Sequence, residues 1–264
     1  MNYENYFEIN KQTWNTKVPV HIDSDFYDME GFLNGKNTLP DLDLKLLGDV
    51  SGKKILHLQC HFGQDSLSLA RMGAQVTGID ISDKAIEEAR KLNDQLGLDA
   101  RFICCNVYDT PEYIKEQFDI VYTSYGVIGW LPDLNKWAEV ISKCLKPGGK
   151  LVFVEFHPVV WMFDDDFTKV NYHYHNERPI IESYTGTYAQ KEADIKTDYV
   201  GWNHSLAEVL TALLQNGLTL TDFQEFDYSP YNCFNKTIEF EKGKYRIQHL
   251  ENKIPMLYSL IVKK

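Results

Sequence analysis

The sequence predicts an α/β domain on a doubly wound, mostly parallel seven-stranded sheet, with a long segment inserted near its end. Three observations carry this. Short apolar runs bounded by turn residues recur at 54–58, 75–80, 101–105, 119–124 and 150–156, the pattern of strands buried on both faces. Punctuated helical stretches separate them, and strands alternating with helices imply a parallel sheet with right-handed crossovers. A tight turn at Gln59–Gly63 follows the first strand, and a carboxylate, Asp80, ends the second. Open sheets of this class place a nucleotide-like ligand there.

Taken in order, residues 1–46 mix polar and aromatic side chains, with Tyr3, Tyr6, Phe7 and Trp14 at uneven spacing. They read as a short helix near 3–14 and then an irregular strap through Pro19 and His21. The core begins near Gly52. Ser82 caps a helix over 83–96 with Ala85, Ala89, Leu92 and Leu96 on one face, and Gly97 stops it. Leu134, Trp137, Ile141, Cys144 and Leu145 form the inner stripe of the next long helix, which Pro147 and Gly148 end. Ser205-Leu206-Ala207-Glu208 is a capping box, and Gly217 closes the helix it opens. Two final strands follow at 218–227 and 255–263. Residues 157–203 are too long for an ordinary connection. Rich in Trp, Phe and Tyr, they read as a lid over the crevice. The strap at 1–46 joins the lid, and 47–264 form the domain that carries it.

Composition bounds the partners. The chain has 264 residues, 44% of them hydrophobic, enough for a sizeable core. A formal net charge of −11 and the lack of Lys or Arg runs argue against a nucleic-acid or anionic-membrane partner. No apolar stretch approaches the roughly 20 residues of a membrane span. The polar start Met1-Asn2-Tyr3-Glu4-Asn5 does not read as a signal peptide. Five cysteines, an odd number without a Cys-x-x-Cys pair, suit a reducing cytoplasm.

The turn narrows the ligand. Asp80 follows Gly63 by 17 residues, close to the spacing of about 20 at which an acid reaches ribose hydroxyls. A dinucleotide site needs Gly-x-Gly-x-x-Gly, because a pyrophosphate must lie against bare backbone. Here Gln59 and His61 carry bulk and only Gly63 remains. A phosphate-free adenosine ligand fits better, and S-adenosylmethionine is one.

Five further segments share a pattern. Leu56-His57-Leu58-Gln59-Cys60-His61-Phe62-Gly63 corresponds to a glycine-rich first motif, with His57 where an acid is common and Gln59 and His61 in place of glycines. Gly78-Ile79-Asp80-Ile81-Ser82 corresponds to a ribose motif and Asn106-Val107-Tyr108-Asp109 to an adenine-contact motif. Phe118-Asp119-Ile120-Val121-Tyr122 and Leu145-Lys146-Pro147-Gly148-Gly149-Lys150-Leu151 correspond to the fourth strand and the turn into the fifth. On these residues the chain resembles the class I S-adenosylmethionine-dependent methyltransferases, in their small-molecule branch. The block Leu58-Gln59-Cys60-His61-Phe62-Gly63-Gln64-Asp65 resembles a bacterial subgroup of them. The resemblance implies a Rossmann-like methyltransferase fold with an antiparallel last strand. It also implies S-adenosyl-L-methionine as cofactor, held by Gln59, Cys60, His61, Gly63, Asp80, Ile81, Asn106, Val107 and Ser124.

The expected reaction is in-line methyl transfer to an oxygen, nitrogen or sulfur nucleophile of a small molecule. Glu155 and His157 lie two apart at the end of the fifth strand and point the same way. His157 is the first candidate for a general base and Glu155 the second, with His173 and His175 of the lid as alternatives. Tyr125, just past the fourth strand, is a candidate to orient the acceptor. Two histidine groupings, His57 with Cys60 and His61, and His157 with His173 and His175, carry metal-ligating side chain types. The first has no standard zinc spacing and the second is open as a mononuclear site; no metal is assigned. A nicotinamide-dependent oxidoreductase and a non-catalytic S-adenosylmethionine-binding protein remain as alternatives.

Overall fold

The computed structural model describes residues 3–264. Met1 and Asn2, which open the expected strap, lie outside the described residues. The chain runs α1 (Tyr3–Ile22), α2 (Met29–Leu33), α3 (Asp41–Leu47), β1 (Lys54–Leu58), α4 (Gln64–Arg71), β2 (Gln75–Asp80), α5 (Asp83–Leu96) and β3 (Arg101–Cys104). It continues with α6 (Thr110–Tyr113), β4 (Phe118–Ser124), α7 (Leu134–Cys144), β5 (Leu145–Phe156), β6 (Ile180–Thr185) and β7 (Lys196–Gly201). It closes with α8 (Leu206–Gln215), β8 (Thr219–Phe226), β9 (Thr237–Glu241), β10 (Lys244–Ile247) and β11 (Leu257–Lys263).

Seven strands form one sheet in the order β3-β2-β1-β4-β5-β11-β8. The pairings from β3 to β5 are parallel, and β11 runs antiparallel to both β5 and β8. Chain order reverses between β1 and β4, so a crevice opens past their ends, where this class of sheet binds ligands. Alternation along the strands sends Leu56, Leu58, Val121, Leu151 and Phe153 to one face, against Trp137 and Ile141 of α7 and Val209 and Leu213 of α8. Ile55, Ile120, Tyr122, Val152 and Val154 go to the other, against Leu46 and Leu47 of α3 and Leu69 of α4. The expected strands agree with the sheet to within two residues, except that β5 begins earlier. Leu145 already pairs with Phe118, and Pro147–Gly149 bulge out before Lys150 pairs with Ile120.

The N-terminal segment differs from its sequence reading. Instead of a short helix and a strap, α1 continues through Pro19 to Ile22. Pro19 removes one N–H donor in the last turns, a loss that tertiary contacts offset. Asn15 Nδ2 donates to Asp83 Oδ1 at 3.0 Å, and Thr13 donates its hydroxyl to Asp198 O. Two hairpins were also not foreseen. β6 and β7 pair antiparallel inside the 157–203 insertion, and β9 and β10 pair in the 227–256 connection. Among the described residues no helix is long and apolar enough to cross a membrane.

Candidate active site

The turn after β1 is built on left-handed backbone. Gln59, His61 and Gly63 have φ of +55°, +53° and +82°, at the three positions where the resembled motif carries glycine. Gly63 is required by space as well: a Cβ there would lie 2.8 Å from the Phe102 ring and 3.0 Å from Ala89. For a side-chain-bearing residue this conformation costs about 1–2 kcal/mol. Side-chain partners offset it. Gln59 Nε2 donates to Val127 O at 2.9 Å, and His61 Nε2 lies 2.9 Å from His21 Nδ1. The His61 ring also packs against Trp14 and Phe62, with centroids 5.1 and 4.4 Å away.

Asp80 bridges this turn to the next element. Its Oδ2 accepts from His61 N and its Oδ1 from Ser82 N, each at 2.9 Å. Burial pushes its carboxyl up to about 6, against the pull of these bonds. Asn106 caps a short turn by accepting from Tyr108 N at 3.1 Å.

These elements open onto one cavity of about 720 Å³. All nine cofactor candidates line it: Gln59, Cys60, His61, Gly63, Asp80, Ile81, Asn106, Val107 and Ser124. Tyr125 lines it too. The opposite walls are aromatic: Trp161, Tyr172, Tyr184, Tyr199 and Trp202 come from the insertion, and Tyr231 and Phe234 from the connection before β9. Trp14 and Lys17 of α1 complete the cover.

Contrary to the sequence expectation, neither strand-end candidate lines the cavity. Glu155 is buried, and its carboxylate accepts from the backbone N–H groups of Val127 at 2.8 Å, Ile128 at 3.3 Å and Phe156 at 2.7 Å, and from Gly126. It holds the loop after β4 in place. His157 is buried on the far side, with Nε2 2.8 Å from Glu225 Oε1. Its Nδ1 accepts from Val159 N at 3.2 Å, which puts the proton on Nε2. Burial holds its pKa below the usual histidine value, with Glu225 opposing. His173 and His175 are exposed and also lie off the cavity. His157, His173 and His175 therefore do not converge on a common site.

Three functional features escaped sequence reading. Asp43 of α3 is fully buried and accepts from Tyr122 Oη at 2.6 Å and from the Tyr125 hydroxyl at 2.5 Å. Burial pushes its carboxyl up to about 7, the two phenols opposing. Asp43 shares a helix face with Leu46 and Leu47, a spacing that could have revealed it. Lys17 places its ammonium 5.1 and 5.3 Å from the Trp14 and Trp130 ring centres, and burial lowers it to about 8. The spacing of Trp14, Lys17 and His21 on one helical face was the available signal. The wall from Tyr231 to Asn235 had none beyond the Gly243 turn that joins β9 to β10.

Residues 56–153 match the methyltransferase domain family. The match runs from β1 into β5 and so includes every cofactor candidate. A curated relative, the ubiquinone biosynthesis O-methyltransferase of Proteus mirabilis, is 29% identical over 136 residues, 50% of this chain and 55% of that protein. The chain thus spans about half the length of the curated relatives it matches. An S-adenosylmethionine-dependent methyltransferase from Clostridium acetobutylicum superposes with a TM-score of 0.57 at 16% identity, covering 96% of this chain and 98% of that one. The [4+2]-cyclase SpnF superposes with a TM-score of 0.60 at 16% identity, covering 97% and 94%. At these identities the likeness concerns the fold, which is the Rossmann-like methyltransferase fold.

Proposed function

We propose that the chain is an S-adenosylmethionine-dependent methyltransferase that transfers the methyl group in line to an oxygen, nitrogen or sulfur nucleophile of a small molecule. One observation carries the reading: the methyltransferase-domain turn, Asp80 and Asn106 open into the same cavity as the aromatic walls of the insertion. A cofactor and an acceptor can therefore meet within it. The relatives named as ubiquinone O-methyltransferases favour an oxygen nucleophile. The cyclase with the same fold is the reason the domain match, not the fold, supports methyl transfer.

The residues present fit the cofactor. Asp80 retains lone pairs for ribose hydroxyls beside its two backbone bonds. Ile81, Asn106 and Val107 line the cavity beside Asp80 and would hold the adenine. Ser124 and the turn at 59–63 would hold the methionine end. Bound S-adenosylmethionine would supply an activated methyl on a sulfonium with a good leaving group. The protein's part is then alignment and exclusion of water.

Of the three residues assigned to chemistry, Tyr125 keeps a role at the acceptor. Its hydroxyl donates to Asp43, so it can take a proton from an incoming hydroxyl as it passes its own to Asp43. Glu155 shapes the loop that carries Tyr125, and His157 supports the sheet edge. Calorimetry tests the reading: S-adenosylhomocysteine should bind and NAD should not. NAD binding without a response to S-adenosylhomocysteine would favour the oxidoreductase alternative.

A further inference from the structure

Two polar groups of the cavity wall lack partners among the described residues. Gln59 Oε1 is buried and accepts no hydrogen bond. Its identity is fixed, because Val127 O can only receive the Nε2 end of the amide. Lys17 Nζ has neither a carboxylate nor a hydrogen-bond acceptor; the faces of Trp14 and Trp130 lie against it, and the His21 and His61 rings are close enough to feel its charge. A buried acceptor left unmet and a desolvated ammonium left unpaired both cost free energy. They are an acceptor and a cation lining one cavity. The Trp14 ring joins them, since it packs on His61, two residues from Gln59, and carries the Lys17 ammonium.

We infer that Gln59 and Lys17 form a recognition pair for an α-amino-acid zwitterion, with the ligand's ammonium on Gln59 Oε1 and its carboxylate on Lys17 Nζ. This rests on the S-adenosylmethionine reading, whose ligand ends in that zwitterion. It explains how a turn with two bulky residues in place of glycines can serve such a ligand. The Gln59 side chain, anchored on Val127, supplies the acceptor that faces the ligand. The α1 helix, docked over the turn, supplies the cation. The acids of the same cavity, Asp65, Asp80, Asp164, Asp165 and Glu182, repel a carboxylate and so leave Lys17 as its place.

The test compares two ligands that share adenosine and a thioether. S-adenosylhomocysteine carries the amino-acid end, and 5′-deoxy-5′-methylthioadenosine does not. Calorimetry should show Lys17→Met and Gln59→Leu each weakening S-adenosylhomocysteine about ten- to a hundredfold, the worth of a charge-assisted hydrogen bond. Affinity for methylthioadenosine should be unchanged, which also verifies folding. Lys17→Arg should recover most of the loss. Equal losses for both ligands, or no loss for either, would overturn the pair. A wild-type protein that binds methylthioadenosine but not S-adenosylhomocysteine would overturn it too. If the wild type binds neither, the cofactor reading itself fails, and the pair with it.

Discussion

Asn10 and Val200 exchange two hydrogen bonds across 190 positions of sequence: Asn10 Nδ2 donates to Val200 O at 2.8 Å, and Val200 N donates to Asn10 Oδ1 at 3.1 Å. The side-chain amide thus acts as a one-residue strand partner for the free edge of β7. It fastens α1 to the inserted hairpin, and both contribute walls to the cavity. Replacing Asn10 by Ala leaves both backbone groups of Val200 unmet. Denaturant unfolding should show a loss of about 1–3 kcal/mol, and hydrogen exchange in 196–201 should accelerate.

The insertion that Asn10 fastens should respond to ligand. Hydrogen exchange across 157–203 is expected to slow when S-adenosylhomocysteine is added, because a site that admits an acceptor and then excludes water needs a gate. Identical exchange with and without the ligand would describe a fixed wall.

Glu155 and His157 should separate by consequence. Glu155→Leu leaves three backbone N–H groups of the loop after β4 and that of Phe156 in β5 without this acceptor, and a loss of at least about 1–3 kcal/mol is expected. His157→Ala should leave affinity for S-adenosylhomocysteine unchanged, since the ring lies off the cavity. A cofactor defect in His157→Ala with intact stability would return it to the site.

Asp43 gives stability a particular pH dependence. Unfolded, its carboxyl titrates near 3.9; folded, near 7. Between these values the native state holds more protons than the unfolded state. The contribution of this group is therefore fully present below about pH 4 and lost as pH rises to about 7, at up to about 1.4 kcal/mol per pH unit. Asp43→Asn removes that slope. The wild-type advantage over the variant should shrink from pH 5 to pH 8, as read from denaturant midpoints at each pH. An advantage that grows over this range would place the folded pKa below the unfolded one.

Asp80→Asn should weaken S-adenosylhomocysteine about tenfold or more, because ribose hydroxyls lose a charged acceptor. The amide can still accept from one of the two backbone N–H groups that Asp80 now holds, so part of the bridge between the turn and α5 survives. Asp80→Ala should cost more in melting temperature than Asp80→Asn, because it removes the bridge entirely.

The sequence by itself determined the sheet and the half of the cavity formed by the strand ends. Buried parallel strands are short apolar runs, helix ends carry their caps, and a ligand crevice lies where β1, β2, β3 and β4 end. Gln59, Gly63, Asp80 and Asn106 sit within a few residues of those ends, so locating the strands located them. The outer half was decided by tertiary structure. Pro19 lies inside a helix because contacts to β7 and α5 outweigh one missing N–H. Glu155 and His157 sit at the right strand end, yet they face a loop and a sheet edge. Glu155 continues the face of Leu151 and Phe153, but what lies over it and over His157 depends on how the loop after β4 and the edge strand β8 pack there, which no local pattern records. Lys17 and Tyr231 reach the cavity, and Asp43 reaches Tyr125 behind its wall, from separate segments of the chain. Their roles depend on which other groups surround them in the fold, and that is fixed only when distant segments pack.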